Sequence, residues 1–227
     1  MASPPSYPTT WGVLRRLDPA APGYRLGIEA LCQRYWAPIR HYARASWATT
    51  DEDADDLAQE FFLWLIQGEV LQRYAVEKGS FRNFLKGLLR NFGRNYQRIA
   101  TRKKRGGDSE RLPLEAAEPV AAPGPDDVFD REFVRALTAR AMKSVQERLQ
   151  GSGRATQWKL FEEYDLLLEG EPPSYRELAA RHGVSEGDVK NYLHRVRALL
   201  RDEIRVELAE TVTDEAELEA EWRHVIG

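Results

Sequence analysis

Cysteine occurs once, at Cys32, and histidine only four times in a chain of 227 residues. An internal disulfide is thereby excluded, and with no CxxC or HExxH spacing a metal centre is not expected. No apolar run approaches the length needed to span a bilayer. The Pro- and Ser-rich stretch Met1–Thr10 lacks the apolar centre of a secretory leader, so a cytoplasmic protein without a membrane partner is expected. Net charge is also small, −3, but it is far from evenly spread.

From Lys78 to Gly107 there is no acidic residue, and a cation recurs every fourth position at Arg82, Lys86, Arg90, Arg94, Arg98 and Arg102. With Lys103, Lys104 and Arg105 the segment Arg82–Arg105 carries nine cations, which predicts a basic helix edge aimed at a polyanion. Phe81, Phe84, Phe92 and Tyr96, with Asn83, Asn91, Asn95 and Gln97, are woven through it. Rings stack on bases and amides pair with base edges, whereas cations grip phosphate, so single-stranded or melted nucleic acid fits this mixture. The helical spacing of Phe81, Leu85, Leu88, Leu89 and Phe92 assigns those residues to a core.

The composition, 42% hydrophobic, suffices for real cores. Residues 106–127 carry Pro113, Pro119, Pro123 and Pro125 without apolar periodicity and read as a semi-stiff linker. Helices are expected on both sides. Before the linker, Leu31, Tyr35, Ile39 and Tyr42 mark one face of a helix over 28–45 that Pro38 bends. Asp51–Gln67 forms a second helix with Thr50 as cap, Leu57, Phe61, Trp64 and Leu65 inward, and Gly68 as stop. After it, helices are expected over 128–149 and 157–168, interrupted at Gly151-Ser152-Gly153.

Ser174–Leu200 then has helix-turn-helix spacing: Ala179 at the crossing, Gly183 in the turn, and Val184 and Val189 sealing the angle. Lys190, Asn191, His194 and Arg195 fall close to one face of the second helix, where a major groove would be read.

The order of these motifs resembles the small extracytoplasmic-function sigma factors of bacterial RNA polymerase, of the sigma-70 superfamily. Asp51–Leu65 is similar to their polymerase-binding helix, Gly79–Arg105 to their melting and minus-ten segment, and Tyr175–Arg201 to their minus-thirty-five helix-turn-helix. Two departures stand out: Asp188 where the family usually has threonine, and Phe84 at a frequent tryptophan.

The resemblance implies an all-α fold of two small helical domains joined by a flexible linker, the C-terminal one containing the helix-turn-helix. Its expected division is a tail at 1–24, region 2 at 25–105, the linker at 106–127, region 4 at 128–206 and an extension at 207–227, read as a packing helix. Polymerase contact would fall to Asp55, Asp56, Leu57, Gln59, Glu60 and Phe61. The minus-ten element would be held by Tyr74, Arg82, Asn83, Lys86, Arg90, Asn91, Arg94, Asn95 and Arg98, with a flipped base in the loop Tyr74–Ser80. Ser185, Lys190, Asn191, His194 and Arg195 would read the minus-thirty-five element.

The implied partners are core RNA polymerase and promoter DNA, with an anti-sigma factor as a further candidate, and neither a cofactor nor enzymatic activity is expected. Two other readings compete. A helix-turn-helix regulator acting without polymerase would have no use for Asp51–Leu65 ahead of a basic aromatic helix. Metal-dependent nucleic-acid chemistry at Asp53, Asp55 and Asp56 lacks an accompanying His or Lys constellation.

Overall fold

The computed structural model describes residues 17, 22–48, 50–68, 70–75, 79–105, 124–167 and 170–226, the side chains of 97–105 excepted. Linker residues 106–123, most of the N-terminal tail and positions 76–78 of the loop lie outside the described residues. Among those described, every regular element is helical. The α-helices are α1 (Tyr24–Ser46), α2 (Asp51–Gln67), α3 (Phe81–Arg105), α4 (Pro125–Gly151), α5 (Ala155–Asp165), α6 (Tyr175–His182), α7 (Glu186–Ala209) and α8 (Glu215–Ile226), with a 3-10 turn at Val70–Arg73. None is long and apolar enough to cross a membrane.

Local chemistry explains several boundaries. The Thr50 hydroxyl accepts the Asp53 N–H while the Asp53 carboxylate accepts the Thr50 N–H, both at 3.1 Å, a reciprocal cap that starts α2. The Gly68 N–H closes that helix on the Trp64 carbonyl. Pro38 is buried within α1, which runs on through it.

By contacts the chain divides into two compact units, one comprising Thr10–Ala136 with Glu210–Gly227 and the other Leu137–Ala209. This boundary falls inside α4, and the extension from Glu210 belongs to the first unit. In that first unit Tyr35 is the hub: its ring lies 5.7 Å from Phe81, 6.4 Å from Phe129 and 5.6 Å from Phe133. α1 packs on α2 around it, with Leu31, Ile39, Phe61, Leu65, Leu85 and Leu89 fully buried. Leu88, Phe92 and Trp64, expected inside, are half-buried.

In the Leu137–Ala209 unit, α7 packs against α5 and α6 over a core that includes Val145, Leu149, Trp158, Phe161, Leu178, Leu193 and Val196. Ala179 and Val189 are buried in it, and Val184 packs against it half-exposed. Gly183 ends α6 at φ 66°, a left-handed conformation that a side chain would strain. Glu163 of α5 ties this corner by accepting from Arg181 and lying 2.8 Å from His182 Nε2. Burial works against its charge, but those two partners prevail and hold its carboxyl below the usual range.

Candidate nucleic-acid interface

Helix α3 carries two parallel ladders. The cations at 82, 86, 90 and 94 form one; Asn83, Gly87, Asn91 and Asn95, one residue on, form the other. The side chains of Asn83, Asn91 and Asn95 are exposed, as is Arg94, and the three amides have no protein partner among the described residues. Phe84 lies half-buried beside them with its ring 5.4 Å from Tyr74. A backbone laid on this face would meet amide donors and acceptors flanked by an aromatic edge, the arrangement that holds unpaired bases.

The cation ladder is less open than its spacing predicts. Arg82 is 5% and Lys86 7% exposed. A charge that deep requires a partner, and each has a carboxylate. Arg82 Nε donates to Glu221 at 2.9 Å and Nη2 to the other oxygen of the same carboxylate at 3.2 Å, while Nη1 donates to Asp130 and lies 2.9 Å from His224 Nε2. The guanidinium also sits over the Phe133 ring at 5.6 Å. Lys86 donates to both oxygens of Asp130 at 2.8 and 3.1 Å, and Arg90 to Asp126 at 2.6 Å. Three of the nine expected minus-ten contacts are thus engaged by acids of α4 and α8. The Arg98 side chain lies outside the described residues.

Tyr74 is engaged as well. Its hydroxyl donates to Glu217 at 2.8 Å, and burial together with that acceptor pushes the phenol up from its ordinary value. The same Glu217 oxygen accepts the Phe81 N–H at 3.2 Å, and its other oxygen accepts the Thr213 N–H and hydroxyl at 2.8 and 3.0 Å. Glu217 therefore holds the loop, the start of α3 and the turn before α8 together. None of Glu217, Glu221, Asp126 and Asp130 stood out in the sequence. The signal was the spacing of Asp126 and Asp130, four residues apart like their partners Lys86 and Arg90.

On α2, Leu57 and Phe61 are corrected from contact residues to core, because helical spacing turns both inward to 4% and 0% exposure. Asp55 is half-exposed and accepts Arg40 Nε at 2.6 Å. The outward edge consists of Asp56, Gln59 and Glu60, with Leu63, which is not among the expected contacts, 57% exposed beside them.

On α7, Lys190, Asn191, His194 and Arg195 are all exposed and without a protein partner among the described residues. Arg197 is not free, since its Nε and Nη2 donate to Asp165 at 3.0 and 2.8 Å. Asp188 accepts the Ser185 N–H at 3.1 Å and hydroxyl at 2.6 Å, and the Ser185 oxygen accepts the Asp188 N–H in return. Both residues are thereby committed to starting α7, which gives the unexpected aspartate a local purpose.

No family model matches the chain, and neither a curated protein nor a solved structure matches it.

Proposed function

We propose that the chain is a sigma factor that binds core RNA polymerase and directs promoter recognition, melting and initiation. The observation that carries this reading is that the chain bears two exposed sets of nucleic-acid donors of different kinds. Asn83, Asn91, Asn95 and Arg94 on α3 suit unpaired bases and backbone, whereas Lys190, Asn191, His194 and Arg195 on the second of two helices joined at Gly183 suit a major groove. A helix-turn-helix reader alone accounts for the second set only. The acidic edge Asp56, Gln59 and Glu60 with exposed Leu63 supplies a surface for a basic partner of the kind the sequence resemblance implies.

Run-off transcription with core polymerase and a promoter library tests the proposal. Discrete transcripts that start downstream of a shared pair of elements are expected. DNA binding without retention of polymerase would assign the chain to the helix-turn-helix regulators instead.

A further inference from the structure

The buried stripe of α8 consists of Glu217, Leu218 and Glu221, so two of its three positions are acidic. A helix docked only for packing would place apolar side chains there. Glu217 is 8% and Glu221 6% exposed, and together they cover a tyrosine hydroxyl, a backbone N–H at a helix start and a guanidinium. Those three groups are the donor set that binds a phosphate oxyanion. From this geometry we propose that α8 is an autoinhibitory segment: its two carboxylates occupy an anion site at the start of α3, and a nucleic-acid backbone displaces them.

The exchange is chemically balanced, because phosphate oxygens replace carboxylate oxygens and Arg82 is never left buried without an anion. Buried ion pairs contribute little net stability against their desolvation cost, so an incoming polyanion competes on favourable terms. Asp130 comes from α4 and still holds Lys86 and one side of Arg82 after α8 leaves, so the guanidinium stays oriented. The proposal rests on the reading of α3 as a nucleic-acid binder.

The test compares the 227-residue chain with its Glu217→Gln, Glu221→Gln double variant by anisotropy of a labelled single-stranded DNA oligonucleotide over a salt series. Loss of the two charges is expected to tighten binding about fivefold or more and to steepen the slope of log Kd against log salt by about one unit, as Arg82 becomes available. Unchanged or weaker binding by a folded double variant, with run-off transcription intact, overturns the inference and leaves the sigma-factor reading standing. Absence of DNA binding and of transcripts from both proteins overturns both. Should the variant not fold, hydrogen exchange on the wild-type chain decides: amides 215–226 are expected to exchange faster with the oligonucleotide bound, and equal or slower exchange defeats the proposal.

Discussion

Trp47 lies against Gly93, so closely that a Cβ built on the glycine would come 2.0 Å from the indole Cζ2. The same indole touches the Phe92 ring at a centroid distance of 6.4 Å and the Tyr42 ring at 5.4 Å. This contact holds the middle of α3 to the rest of its unit, and only glycine leaves room for it. Gly93→Ala is therefore expected to destabilise the protein by about 1–3 kcal/mol through overpacking. Gly87, two turns earlier on the exposed amide ladder, has nothing within 4 Å of its built Cβ. Gly87→Ala is expected to stabilise by about 0.5–1 kcal/mol, since it removes glycine's backbone entropy from a helix interior. Urea unfolding of both variants checks the pair, and the same sign of change in both would contradict the packing described.

That contrast marks where sequence reasoning holds and where it fails. The cap of α2 was legible in Thr50 ahead of three acidic residues, whereas Ser174 with Glu177 and Ser185 with Asp188 share its three-residue spacing but were not read as caps, Ser185 being assigned to DNA and Asp188 standing out only as a departure. Periodicity likewise placed Leu31, Phe61, Leu85 and Leu89 inside. It could not tell Gly93 from Gly87, because the difference lies in Trp47, far away in the chain. Nor could it reveal that Tyr74 meets Glu217, since 143 positions separate them. The fourth-residue rhythm lined the cations up along α3, but which of them face solvent depends on where α4 and α8 fall.

Acid should weaken the caps of α6 and α7. The Ser174 hydroxyl and N–H hold the Glu177 carboxyl below its usual range, and the Ser185 hydroxyl and N–H do the same for Asp188. Both folded values are depressed, so their stabilisation is present above the unfolded values of about 4.3 and 3.9 and is lost as pH falls through the lower folded values. Between pH 7 and 5 these caps should contribute no pH dependence. Below about pH 4 the melting temperature of the wild-type chain should fall more steeply than that of the Glu177→Gln, Asp188→Asn variant, followed by circular dichroism. Parallel curves for the two proteins would show that the caps do not titrate as described.

The outward edge of α2 gives a partner prediction. Asp56 and Gln59 are exposed, so Asp56→Lys with Gln59→Ala should change stability by no more than about 0.5 kcal/mol. Core polymerase binding should nevertheless weaken by more than about 1 kcal/mol, as for an interface residue that matters. Leu63→Ala should act in the same direction, because its exposed side chain is the apolar part of that edge. Full retention of polymerase by the folded variants in a pull-down or titration would remove α2 from the interface.

Two arginines of α7, two residues apart, should separate reading from scaffolding. Arg195 is exposed and free of protein partners among the described residues, whereas Arg197 makes a two-point contact with Asp165 and lies over the Tyr164 ring at 5.8 Å. The bond to Asp165 is the main reason its guanidinium pKa is raised. Because both partners are partly exposed, solvent screens the pair, and Arg197→Ala should cost no more than about 1 kcal/mol of stability. Arg195→Ala should leave stability within about 0.5 kcal/mol but weaken binding to the preferred upstream element by about 1–3 kcal/mol if the guanidinium reads a base edge. Thermal melts and a competition assay over single-base variants of that element measure both effects. Equal loss on every sequence would make Arg195 a phosphate anchor, and loss of sequence preference in Arg197→Ala alone would transfer the reading role to its neighbour.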